Sequence, residues 1–185
     1  MVFKSEAIPN AYPEIMAVSD YLFSEFISED GLKRYLCTYY LPVSQLKSKI
    51  DIHVDIKGMV CENDKLLIFT HSTETDGVSE FDPEKDEITR LADFPFGNIH
   101  NTCKIDENNT LVASDNGIYL FDRHYFHFSL FSSDYADSLV YEPLNKYIYL
   151  VNDRNIKEIS YPGGAVTRVV NTDYPISSFN LIYNK

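Results

Sequence analysis

The stretch Asn108-Asn109-Thr110-Leu111-Val112-Ala113-Ser114-Asp115-Asn116-Gly117-Ile118-Tyr119-Leu120-Phe121-Asp122 holds two apolar runs of strand length divided by Asp-Asn-Gly. Asn-Gly between such runs is a strong hairpin signal, because glycine adopts a left-handed backbone at no steric cost. Thr102-Cys103-Lys104-Ile105 precedes the pair and the alternating run His127-Phe128-Ser129-Leu130-Phe131 follows it. Four consecutive antiparallel strands are therefore predicted here.

The same order recurs on both sides. Upstream come Gly58-Met59-Val60-Cys61, Asn63-Asp64-Lys65-Leu66-Leu67-Ile68-Phe69, Asp76-Gly77-Val78-Ser79-Glu80-Phe81-Asp82 and Glu87-Ile88-Thr89-Arg90-Leu91. Downstream come Ser138-Leu139-Val140-Tyr141, Asn145-Lys146-Tyr147-Ile148-Tyr149-Leu150-Val151, Arg154-Asn155-Ile156-Lys157-Glu158-Ile159 and Val166-Thr167-Arg168-Val169-Val170. Gly77, Gly117 and Asn155 hold one position, at spacings of 40 and 38, and the sequence assigns all three to a left-handed turn. A period of about 40 belongs to blade-type repeats. It divides a single domain, 1–185, into units at about 13–55, 56–98, 99–137 and 138–176, with a closing strand at 177–185.

The first unit has two readings. Aligned on Gly31 it gives strands at Ser19–Phe23 and Leu32–Cys37, whereas Pro13 followed by Ile15, Val18, Leu22 and Phe26 at helical spacing describes an amphipathic helix over 13–28. The turns Ser28-Glu29-Asp30-Gly31 and Thr73-Glu74-Thr75-Asp76-Gly77 resemble each other and favour strands.

These units resemble blades of the NHL/TolB-like β-propeller class, through the pattern Asp/Asn, apolar run, Gly, apolar-x-x-Phe-Asp. The resemblance is firm over about 56–183 and loose over 13–55. It implies an all-β array of about four four-stranded blades and names no ligand, because propellers host many functions. The chain has only 7 Gly, fewer than richer blade families.

Composition agrees with a β-rich globular domain: 185 residues, 44% hydrophobic, with 14 Tyr and 12 Phe against no Trp and 3 Met. The net charge of -12 should repel nucleic acid and anionic membranes, so a basic or neutral protein surface is the expected partner. Cys37, Cys61 and Cys103 lack C-x-x-C spacing and are expected to be free thiols, Cys61 and Cys103 on equivalent inner strands. The start lacks a signal-peptide apolar core, and no run approaches the roughly 18 residues that span a bilayer. A cytoplasmic monomer is expected, with an exported form whose signal has been removed as the alternative.

Chemistry is sparse. Ser72 to Glu80 places oxygens at alternate positions around Gly77 and resembles Asp-rich calcium hairpins, with Glu74, Asp76 and Glu80 as ligands; a solvated acidic hairpin is the simpler reading. Glu74, Asp76, Glu80, Asp82, Glu84, Asp86 and Glu87 give a local net of -6 with Lys85 and could dock a cationic partner. Charge runs are more often solvated turns. His124 and His127 are an odd step apart and point to opposite faces of a strand, so they cannot jointly hold a metal. No P-loop, Gly-x-Ser-x-Gly or His-Glu-x-x-His occurs.

Two functions fit. The first is a non-enzymatic interaction module with an acidic, Tyr-rich surface including Tyr119 and Tyr125, such as an inhibitor or immunity-type antagonist. The alternative is a glycan- or small-ligand-binding propeller, or a hydrolase remnant, whose central channel is lined by Asn98, His100, Asn101, Asp137 and Asn180.

Overall fold

The computed structural model describes residues 15–62, 64–177, 179 and 181. Among these residues sixteen strands form four antiparallel sheets, each built from four strands consecutive in sequence. Sheet one comprises β1 (Ile15–Val18), β2 (Tyr21–Ile27), β3 (Arg34–Tyr40) and β4 (Gln45–Asp51). Sheet two comprises β5 (Asp55–Glu62), β6 (Lys65–His71), β7 (Asp76–Asp82) and β8 (Glu87–Phe94). Sheet three comprises β9 (Ile99–Lys104), β10 (Asn109–Ser114), β11 (Gly117–Asp122) and β12 (His127–Ser132), and sheet four β13 (Ser138–Glu142), β14 (Tyr147–Asn152), β15 (Asn155–Ser160) and β16 (Val166–Asn171). The inner strands β1, β5, β9 and β13 lie side by side in that order, as in four propeller blades.

The first unit is thus strands where the helical pattern competed, with β2 and β3 running to Ile27 and Tyr40, beyond the expected ends. Helical spacing of Leu22 and Phe26 also fits a strand, since an even step returns to the same face. The expected closing strand at 177–185 falls mostly outside the described residues, as does Pro13.

Alternation explains the packing. In β6 the consecutive residues Leu66, Leu67, Ile68 and Phe69 are all buried, Leu66 and Ile68 towards sheet one, Leu67 and Phe69 towards sheet three. Three apolar clusters result: Phe23 and Leu36 with Met59 and Phe81 between sheets one and two; Phe69 and Phe94 with Phe121 and Phe128 between two and three; Leu111 and Ile118 with Ile148 and Leu150 between three and four. Burying each such side chain contributes about 1.5–3 kcal/mol. Three clusters thus join the four blades in order; among the described residues no apolar cluster joins sheet four to sheet one.

The scarcity of glycine has a local cause. The turns 82–87, 122–127 and 142–147 share one design in which an acid at the first position accepts two backbone N–H bonds. Asp82 accepts from Glu84 and Lys85, Asp122 from His124 and Tyr125, and Glu142 from Leu144 and Asn145. The fifth residue, Asp86, Phe126 or Lys146, then takes positive φ. In these three turns the left-handed position is therefore filled by a non-glycine residue. The expectation for Gly77, Gly117 and Asn155 holds only at Gly117, with φ 130°. Gly77 is required instead because a Cβ would meet the Arg90 guanidinium at 2.1 Å and the Ala92 carbonyl oxygen at 2.4 Å. Phe126 is 48% exposed at φ 51°, so Phe126→Gly should raise stability by about 1 kcal/mol, readable as a higher urea midpoint.

Candidate functional site

The acidic stretch 74–87 separates into distinct environments. Asp76 is buried; its Oδ1 lies 2.7 Å from His71 Nδ1 and accepts from Ser72 N at 3.1 Å, while Oδ2 accepts from Ile99 N at 2.7 Å. It is a tie between sheets two and three. Glu80 binds Lys65 Nζ and Arg123 Nη2, each at 2.5 Å, and Arg123 Nη1 reaches buried Glu62 at 2.6 Å. Asp82 caps its turn, and Tyr119 is core, stacked on Phe96 with centroids 4.5 Å apart. Glu74 is exposed in the β6–β7 turn, whereas Glu84, Asp86, Glu87 and Tyr125 lie at the opposite end of the blades. Among the described residues no three His, Cys, Asp or Glu side chains are grouped to hold a metal ion.

The Arg123 pair shows two opposite electrostatic balances. Burial pushes the Glu62 carboxyl up despite Arg123. In Glu80 burial is outweighed by hydrogen bonds from Lys65 and Arg123, and its carboxyl is held low. A raised folded value makes the ionised form costly above that value, and a lowered one stabilises above the ordinary range and is lost as pH falls through it. Glu62→Gln should therefore change stability at pH 7 by less than about 1 kcal/mol, while Glu80→Gln should lose about 2 kcal/mol. Denaturant titrations at pH 7 and pH 4 check both, the deficit of Glu80→Gln shrinking at the lower pH.

All three cysteines are free. Cys61 and Cys103 do occupy the inner strands β5 and β9, and burial pushes each thiol up to about 11.

Convergence occurs at the end of the blades where β9 and β13 begin. Asp115, in the β10–β11 turn, accepts from Asn98 N at 3.1 Å and Asn98 Nδ2 at 2.7 Å through Oδ2, and its Oδ1 lies 2.6 Å from His100 Nε2. The Asn98 backbone N–H chiefly holds the Asp115 carboxyl low, assisted by His100. The His100 ring packs edge-on against Tyr135 at 5.5 Å, and the Tyr135 hydroxyl donates to Asp137 Oδ1 at 2.8 Å, which pushes the phenol up. Asp137 Oδ2 in turn accepts from Asp153 N at 3.2 Å. Beside this chain Asp134 pairs with Lys157 around a cavity of about 230 Å³ lined by Tyr135 and Asn155.

Asn98, His100 and Asp137 are thus brought into one network, while Asn101 serves the frame, its Oδ1 accepting from Leu139 N at 3.1 Å. Asn180 lies outside the described residues. Asp115 and Tyr135 were missed by sequence reading. The signal for Asp115 was its place in the Ser114-Asp115-Asn116-Gly117 turn; Tyr135 had none.

This geometry sits on a β-propeller-like fold, and solved structures agree. The crystal structure of a nidogen/laminin complex is similar at TM-score 0.63 and 8% identity, over 83% of this chain and 60% of that one. A functionally unknown protein from Desulfotomaculum acetoxidans DSM 771 gives TM-score 0.63 and 14% identity, over 84% and 54%. Kuenenia stuttgartiensis hydrazine synthase gives 0.55 and 10%, over 84% and 56%. The chain spans little more than half the length of these structures. At such identities the likeness is one of fold alone. The sequence matches no protein-family model and no curated protein. Among the described residues no helix is long and apolar enough to cross a membrane.

Proposed function

We propose that the chain is a non-enzymatic protein-interaction module that binds a basic or neutral protein surface through the loop end of sheets three and four. The observation that carries this reading is Tyr135: 42% exposed, yet fixed by the Asp137 carboxylate and the His100 ring, which Asp115 and Asn98 fix in turn. A tyrosine already ordered loses little side-chain entropy on binding, which is how aromatic hot spots gain affinity. At this end of the blades Asp115, Asp134, Asp137 and Asp153 outnumber Arg154 and Lys157, which suits a cationic partner and steers its approach. An inhibitor or immunity-type antagonist would use the same surface by covering a basic face. The NHL/TolB-like assignment of the blades rests on their sequence pattern alone.

The test is affinity capture, without crosslinking, from an extract of the source with the parent chain and Tyr135→Ala in parallel. Proteins held by the parent at 50 mM salt should be released at 500 mM, and Tyr135→Ala should recover less than about a tenth as much, a hot-spot loss. Equal recovery by both chains would overturn the assignment. A thermal shift with a glycan panel that vanishes in His100→Ala would favour the small-ligand alternative instead.

A further inference from the structure

One place recurs in three blades. Gly77, Gly117 and Asn155 are equivalent, so Ser79, Tyr119 and Lys157, two residues on, are equivalent too, and their register partners Ile68, Val112 and Leu150 each pack towards the preceding sheet. Against this place lies the segment that enters the blade from the one before. In sheet three that segment lays Phe96 on Tyr119, the ring planes within 11° of parallel and the centroids 4.5 Å apart. In sheet four it sets Asp134 against Lys157 as an ion pair.

Sheet two has neither. Serine is the smallest of the three side chains, and the entering segment brings Ile52 and Val54, so a cavity of about 240 Å³ remains between them and Ile68, Ser79 and Ile88. Ile88 is 40% exposed on the edge strand β8, where the cavity meets solvent. Asp51 and Arg90 also border it, but the Arg90 guanidinium is not free to fold in: Asp93 Oδ1 accepts from Nε at 3.1 Å and Nη2 at 3.0 Å, and the Asp76 carbonyl accepts from Nη2 at 2.8 Å. Thr70 Oγ1 is likewise engaged, donating to the Gly77 carbonyl and accepting from Arg90 Nη1, whereas Ser79 Oγ has no hydrogen-bond partner among the described residues. Isoleucine and valine thus form most of the wall, with one uncommitted hydroxyl among them.

We infer that this cavity binds an aromatic ring carrying a hydroxyl group, a phenol or a tyrosine side chain, seated where Phe96 and Tyr119 fill the equivalent space in sheet three. Apolar cavities of this kind take up ring molecules, because their lining gains dispersion contacts that an open void forfeits. A flat ring suits the space because the same backbone frame already closes around stacked rings 40 residues further on. The hydroxyl is needed because a bare ring would strip the Ser79 hydroxyl of water and offer it no partner. The site lies between sheets one and two and is separate from the surface around Tyr135.

p-Cresol, the tyrosine side chain as a free molecule, is the probe. Shifts of isoleucine and valine methyl resonances should saturate at one equivalent, with a dissociation constant of about 0.1–1 mM for so small a ligand. Toluene should bind at least fivefold more weakly, and Ser79→Ala should bring p-cresol down to the toluene value. Ser79→Tyr, which restores the residue of sheet three, should abolish binding; should it fail to fold by circular dichroism, Ser79→Leu fills less of the space and should weaken binding at least tenfold. A capped Gly-Tyr-Gly tripeptide separates the sources: affinity at least that of p-cresol marks a protein tyrosine as the occupant, weaker binding a free phenol. Shifts that never saturate, or p-cresol binding unchanged in a folded Ser79→Tyr or Ser79→Leu chain, would overturn the inference. Toluene binding as tightly as p-cresol would overturn the part given to the hydroxyl.

Discussion

Gly58→Ala should cost about 3 kcal/mol of folding stability, far more than one methyl group usually does inside a strand. Gly58 lies on β5 beside the bulge that shifts register between Ile56 and Gly58, where the inner strand of sheet two faces that of sheet three. A Cβ there would fall 1.9 Å from Thr102 Oγ1 and 2.8 Å from Thr102 Cβ. Threonine branches at Cβ and cannot swing clear, so either β9 retreats or the cluster between sheets two and three opens. The remedy identifies the cause. Thr102→Ala on the Gly58→Ala background removes Oγ1 and Cγ2 but leaves Cβ at 2.8 Å and should recover part of the loss; Thr102→Gly should recover most of it, less the cost of about 1 kcal/mol for a glycine within a strand. A double-mutant cycle by urea unfolding measures the coupling. A Gly58→Ala protein that melts within a degree of the parent would show that the inner strands are not so closely set.

Asp76→Ala should be comparably damaging, by about 3 kcal/mol, although it removes an acid from a strongly acidic chain. It leaves the Ser72 and Ile99 N–H groups without their acceptor, and a buried donor left unsatisfied costs roughly 1–3 kcal/mol. Asp76→Asn keeps one acceptor oxygen and should fall between. Because both Asp76 oxygens and both Glu80 oxygens already have protein partners, calcium or a chelator should leave the unfolding midpoint of the parent unchanged. A rise of several degrees with calcium, abolished in Asp76→Ala, would return these carboxylates to a metal site.

The contrast between these residues shows what sequence could carry. Strand order and blade count were legible because alternation and turn chemistry are local: Ser114 to Gly117 closes its hairpin within four residues. Gly58 and Asp76 were opaque in role because what each meets lies 44 and 23 residues away, on another sheet. The repeated six-residue turns were in plain view as Asp82, Asp122 and Glu142 with Asp86, Phe126 and Lys146 four positions on. Of these only Asp82 and Asp86 were read for function, as charge, because a carboxylate capping backbone N–H groups and one kept for solubility are the same letter. At the site, Asn98, His100 and Asp137 could be named as polar residues at strand starts. Asp115 and Tyr135, which join them, required the third dimension.

The arrangement of one sheet per contiguous stretch also governs how the molecule comes apart. Among the described residues every ladder joins strands adjacent in sequence and each apolar cluster joins neighbouring sheets, so the array behaves as a short one-dimensional chain of coupled units. Opening then begins at the ends, where one coupling must be broken, and reaches the middle last, where there are two. Backbone amides of β6 and β10 should exchange with solvent most slowly, those of β2 and β14 faster, in an order set by position in the line of blades and by nothing in the individual strands.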